Sequence, residues 1–288
     1  MIATFRAELR KLRQRPAVWV LGGILLVLVV LFGYAVVWIQ YATASSGFRS
    51  GGLTAAQLKE GLYPAAFVKV ITNGGISTLG PALVVVRGAL AVGSEYGWGT
   101  LKTVFSQRPG RMQVLAGQFA ALAVIVAVVA VAMYAVAAAS SFVIVSLDGK
   151  PAVWPATTDI LKGLGVTWLV FESWTLFGAL LAYLFRQSAL AIGLGLAYML
   201  IIEGLVFGLL GGFNLSWLTT AEKFFIGQNA TALGESFGQA VQGAVRGGGP
   251  PVSSTPLVGA GQAVLVLAAY SLLFIAGSML VVRRRDIT

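Results

Sequence analysis

Six apolar stretches separated by polar segments run along the chain. Their lengths predict membrane-spanning helices at about residues 17–39, 74–93, 114–147, 164–185, 188–212 and 257–282. The first, of about 23 residues, can cross ~30 Å of hydrocarbon and is longer than the apolar core of a signal peptide, so it reads as a retained span. The third has 34 residues, more than one bilayer needs, so it starts in the aqueous phase or bends.

Two shorter segments are amphipathic. In residues 1–16, Ile2, Phe5, Leu9 and Leu12 recur at helical spacing among Arg6, Arg10, Lys11, Arg13 and Arg15. Such a helix lies in the interface with its cations toward anionic headgroups, and Pro16 ends it or opens the next helix. The second segment, 94–113, separates the second and third spans. Within it Thr100 can cap a short helix whose apolar face is Leu101, Val104 and Phe105, and Pro109 with Gly110 ends it. On the other side, residues 40–73 form a polar loop with a possible surface helix from Leu53 to Val70, broken near Pro64. The loop 213–256 ends in the irregular run GGGPPVSSTP.

Composition sharpens this picture. With 58% hydrophobic and 10% charged residues, the chain is an all-α integral membrane protein rather than a soluble domain, where about a quarter of residues are charged. It has neither cysteine nor histidine, which excludes thiolate and imidazole chemistry and leaves no expected metal site. The net charge of +10 reads as loop bias and lipid contact, not as nucleic-acid binding. Placing both termini on one side gives that side 12 Lys/Arg in 44 loop and tail residues, against 7 in 94 on the other. The positive-inside rule then predicts both termini, and the 94–113 segment, in the cytoplasm.

No glycine-rich phosphate loop followed by Lys-Ser/Thr occurs, so catalysis and ATP binding on this chain are not expected. Gly193 with Gly195, and Gly208 with Gly212, read as close-packing positions between helices. Three ionisable residues fall inside spans: Arg87, Glu172 and Glu203. Charge at a span centre costs at least ~2.5 kcal/mol, so each needs a reason. Arg87, ~9 Å from the cytoplasmic face, can snorkel to it, with an ion pair to either glutamate as the alternative. Glu172 and Glu203 sit at matching depths, ~12–14 Å below the outer surface. They form a polar patch on a substrate or proton path, or hydrogen-bonded glue between helices.

Taken together these features resemble the membrane subunits of type-2 ATP-binding-cassette exporters. Such proteins have an amphipathic elbow helix before six spans. Their first cytoplasmic loop carries Glu, then Gly-Thr-Leu, then Pro and a basic residue. Here these are Glu95, Gly99-Thr100-Leu101, Pro109 and Arg111, and the chain closes on a similar basic tail, Arg284-Arg285-Asp286-Ile287. Gln118 stands where the family usually has Lys. The resemblance implies that 94–113 is a coupling helix seated on a separate ATP-binding subunit, with Glu95, Gly99, Thr100, Leu101, Lys102, Val104, Phe105, Arg108, Pro109 and Arg111 as its contact residues. It further implies two ATPase copies, a homodimer or a heterodimer with a similar permease, ATP and Mg on the partner only, and a bacterial inner membrane. The alternative is a self-sufficient, proton-coupled secondary transporter working through Glu172 and Glu203.

Overall fold

The computed structural model describes residues 2–44, 49–50, 53–75, 79–99, 110–206, 216–238 and 258–284. Helix α1 (Ile2–Gln14) buries Thr4, Glu8 and Leu12, one stripe at i, i+4, i+8. Arg15 is extended (φ −81°, ψ 120°), and Pro16 then opens α2 (Pro16–Ala42) at the position where its missing N–H costs nothing. A π-turn at Leu31–Ala35 swells the middle of α2 beside Gly33. There the Tyr34 hydroxyl donates to the Ala137 carbonyl at 2.9 Å and shares a hydrogen bond with Ser141.

A two-residue antiparallel pair, β1 (Arg49–Ser50) with β2 (Leu53–Thr54), leads into α3 (Ala55–Glu60). A reciprocal capping box, Thr54 with Gln57, starts α3. Pro64 opens α4 (Pro64–Gly74), so the anticipated break near this proline separates two helices. Then follow α5 (Leu79–Gly97), α6 (Arg111–Leu147), α7 (Thr157–Phe185) and α8 (Ser188–Leu205), the last π-helical from Tyr198. The short α9 (Ser216–Glu222) and α10 (Ile226–Glu235) precede the final α11 (Ala260–Arg284). Among the described residues five helices are long and apolar enough to cross a membrane, six when α4 and α5 count as one broken span. The chain is an all-α integral membrane protein.

The helix limits correct two sequence boundaries. Residues 94–97 continue α5 instead of belonging to the polar connection, and Glu95 is a buried helical residue. Helix α7 starts at Thr157, not at 164, so Asp159 and Lys162 lie on its first turns instead of in a loop. The third span is a 37-residue helix, ~55 Å long, that begins at Arg111 in the polar connection. Residues 100–109, the body of the expected coupling helix, lie outside the described residues.

Helices α5 and α7 form the centre, and glycine sets their spacing. A Cβ on Gly88 would fall 1.9 Å from the Thr175 carbonyl oxygen, and one on Gly178 would fall 2.2 Å from that of Val85. The pairing 88–175 and 85–178 is antiparallel and reciprocal. Lipid provides no hydrophobic force between helices, so such backbone-to-backbone contact is what packs them. Gly195 brings α8 against the Val85 side chain, whereas Gly193 faces open space. Gly208 and Gly212 lie outside the described residues. Among the largest wholly buried side chains are Trp174, Tyr183 and Phe171, all on α7. The α7–α8 connection is the two-residue turn expected, with Arg186 in the left-handed region (φ 55°) and its N–H on the Ala182 carbonyl. Gly178→Leu should therefore abolish monodisperse protein in detergent, while Gly165→Ala, on α7 but with nothing near its Cβ, should leave the melting temperature unchanged or raised. Equal behaviour of the two variants in a thermal-shift assay would refute glycine-set packing.

Candidate functional site

The polar cluster at the α1 end of the bundle is built around Glu95. Its side chain is 5% exposed, in the last turn of α5. A carboxylate cannot stay there unneutralised, and two cations from the N-terminal segment meet it. Lys11 Nζ lies 2.5 Å and Arg15 Nη2 3.1 Å from Oε1. Arg15 also donates from Nη1 to the Ala91 carbonyl at 2.9 Å, and its guanidinium stacks 5.2 Å from the centre of the Trp98 ring. Lys11 in addition reaches Glu8, at 2.6 Å. Burial pushes the Glu8 carboxyl above its usual range, against the pull of Lys11. Ionised Glu8 therefore costs stability at neutral pH, and that cost is relieved as pH falls through its raised pKa.

Gln118, on α6, extends the cluster inward. Its Nε2 donates to Glu95 at 3.4 Å, and its Oε1 accepts from the Tyr183 hydroxyl near the end of α7. The neutral amide thus fits a place where the charge is already balanced from α1. Close by, α1 rides directly on α6, since a Cβ on Gly117 would meet the Phe5 nitrogen at 3.0 Å. One carboxylate so ties together α1, α2, α5 and α6 and, through Gln118, α7. Glu95 lies four residues before Gly99, the last described residue ahead of 100–109. Gly99 (φ 67°) turns the chain away after α5, and exposed Arg111 opens α6. Thr100, Leu101, Lys102, Val104, Phe105, Arg108 and Pro109 lie outside the described residues.

The three ionisable residues inside the spans do not come together. Glu203 on α8 caps a helix: its Oε2 accepts the Gly227 N–H at 2.6 Å, at the start of α10. The carboxylate thus satisfies a backbone donor that the helix cannot, at the positive end of its dipole. Helix α10 is in turn held against α4 by Gly234, whose Cβ would fall 2.3 Å from the Thr72 carbonyl, and by Asn73 donating to the Gly238 carbonyl at 3.0 Å. Glu172 is 6% exposed, and its Oε2 has no hydrogen-bond partner among the described residues. No charge interaction joins it to Glu203 or to Arg87 among those residues. Arg87 is 3% exposed, so it does not snorkel, and it makes no ion pair with either glutamate. The sequence placed these three by depth along their helices but not by the direction in which each points.

At the opposite end Lys59 on α3 meets Asp148 just past α6 at 2.8 Å, and Tyr63 donates to the same carboxylate at 2.9 Å. Lys59 holds the Asp148 carboxyl below its usual range. The stabilisation from this pair is present at neutral pH and fades as pH falls through the depressed pKa. These contacts fasten the polar 40–73 region onto α6.

Sequence reasoning singled out Glu95 and Gln118 but not Lys11, Arg15 and Tyr183 as their partners. The available signal was the excess of cations on a helix with few acids of its own. Glu95→Ala should cost about 3 kcal/mol of unfolding stability, chiefly by leaving the largely buried Arg15 without its carboxylate. In a double-mutant cycle Glu95→Ala and Arg15→Met should be clearly non-additive, and additivity would remove the ion pair from the account. Glu203→Leu should speed amide exchange across residues 226–235 and cost about 1 kcal/mol, as an uncapped helix does; unchanged exchange there would contradict the cap.

The family model described as ABC-2 family transporter protein matches residues 4–202, from α1 into α8. No curated protein matches the chain. The chain belongs to the ABC-2 family of transporter membrane proteins and is a permease subunit of an ABC transporter.

Proposed function

We propose that this ABC-2 permease is the membrane half of an ATP-driven exporter. Two copies, or one copy and a similar permease, enclose the substrate path, and each carries an ATPase subunit that holds ATP and Mg. In this reading both termini and the 94–113 segment face the cytoplasm of a bacterium, and the chain sits in its inner membrane. Leu101, Val104 and Phe105 form an apolar knob for a cleft on the ATPase, with Lys102 and Arg108 for acidic groups at its rim.

The observation that carries the reading is the buried Glu95 cluster at the root of residues 100–109. A rigid-body push on that segment reaches α5 at Gly97 and α6 at Arg111, and both helices are pinned to α1 and α7 by one ion network. Buried networks of this kind shift between discrete arrangements instead of stretching, as a two-state transporter requires. The proton-coupled alternative lacks such support, because Glu203 is engaged in capping α10 and is not joined to Glu172.

Phe105→Asp puts a charge in the centre of the proposed knob while leaving the membrane core untouched. It should abolish ATP-dependent transport and co-purification of the ATPase, with wild-type melting behaviour of the permease. Retained ATP-dependent transport in that variant would refute the coupling role. Glu172→Gln should leave ATP-dependent transport in place.

A further inference from the structure

Arg87 has surroundings that neither packing nor coupling explains. It lies on the same buried face of α5 as Val84, Ala91 and Glu95. By helical rise it is ~12 Å deeper in the membrane than Glu95. Helix α2 covers this face running antiparallel. Arg15 contacts Ala91 and Glu95, and seven residues further on Gly22 faces Arg87. A Cβ on Gly22 would stand 3.7 Å from Arg87 Nη2 and 3.9 Å from Val129 on α6. The guanidinium therefore points into the junction of α2, α5 and α6.

Two of its nitrogens, Nε and Nη1, are buried with no acceptor among the described residues. Glu95 on the same face is already held by Lys11 and Arg15. A guanidinium stays charged and presents a planar fork that matches an oxyanion with two parallel hydrogen bonds. Inside a membrane, such a fork without a partner marks a functional position.

We propose that Arg87 binds the phosphate-type anionic headgroup of a membrane amphiphile, admitted sideways between α2 and α5. The side of entry follows from α2. Only 28% of its most apolar window is buried, and Trp19, Val20 and Ile24 are exposed around Gly23, which has nothing within 4 Å of its Cβ position. Gly22 leaves a low wall opposite the guanidinium, Gly23 opens onto free space beside it, and the exposed side chains there suit an acyl chain. As the substrate class of the permease, this inference rests on the reading above, but binding to the chain without any ATPase tests the site by itself.

The test uses the full-length chain purified in neutral detergent and stripped of phospholipid. Phosphatidylglycerol, neutral diacylglycerol and inorganic phosphate are added separately, and native mass spectrometry and the melting temperature are read. Wild type should retain one phosphatidylglycerol per chain and melt higher with it, and should respond to neither diacylglycerol nor free phosphate. Arg87→Gln should weaken retention at least ~tenfold, the loss expected for charge-assisted hydrogen bonds. Gly22→Leu, which keeps the charge and fills the wall, should do the same. The double variant Arg10→Gln and Arg13→Gln, which removes exposed cations of α1, should retain the lipid as wild type does. Absence of retained lipid on wild type, or wild-type retention by both Arg87→Gln and Gly22→Leu, would overturn the site. Equal stabilisation by inorganic phosphate would overturn the amphiphile and its lateral entry.

Discussion

A carboxylate at the buried end of a membrane helix must be neutralised, and the way Glu95 is neutralised fixes much of the rest. Its cations come from a helix some eighty positions earlier, so the N-terminal segment is not free to lie anywhere on the membrane surface. Lys11 and Arg15 set the position of α1, and the extended Arg15 with Pro16 sets the angle at which α2 enters the bilayer. Gly117 lets α1 approach the backbone of α6, and Gln118 passes the contact on to Tyr183. Removing Glu95 would leave Arg15 without its counter-charge, which is why the carboxylate holds the cluster together as a unit.

Away from that cluster the membrane interior is joined mostly by neutral contacts. Tyr34 bridges α2 to Ala137 and Ser141 on α6, while Ser173 on α7 reaches Ser271 and the Leu267 carbonyl on α11. Glycine contacts bring α5, α7 and α8 within backbone range. Several buried polar atoms lack partners among the described residues, Trp174 Nε1 and Glu203 Oε1 among them, but Arg87 leaves two guanidinium nitrogens so, and Glu172 makes no hydrogen bond or ion pair among those residues. Glu203, which the sequence set beside Glu172, has a structural duty at α10. Hydrogen-bonded interiors with a few orphaned groups are what a transporter interior requires, rigid in its packing and open in its chemistry.

The spans were legible because hydropathy over twenty residues is a strong local signal, and α1 because its Ile2, Phe5, Leu9 and Leu12 stripe repeats at helical spacing. The ends of α5 and α7 were misplaced for the same reason. Glu95, Asp159 and Lys162 lower local hydropathy without ending a helix, and the glycines beside them, Gly93, Gly97 and Gly163, lie inside the helices instead of breaking them. Glu95 itself was legible as a motif residue, but its partnership with Lys11 and Arg15 was not, since charge pairing over eighty positions leaves no periodicity. Arg87 looked able to snorkel from its depth alone, and only the lateral position of α2 and α6 closes that route. The Glu203–Gly227 cap joins a span to a short helix whose existence a polar, glycine-bearing sequence did not announce.

The central claim is that this ABC-2 permease is driven through residues 100–109 by a separate ATPase. It is tested most directly by isolating the tagged chain from its native membrane in mild detergent and identifying stoichiometric partners by mass spectrometry. The account predicts a soluble ATPase with a phosphate-binding loop at one copy per permease. A chain that isolates alone and performs proton-dependent transport in liposomes would contradict it.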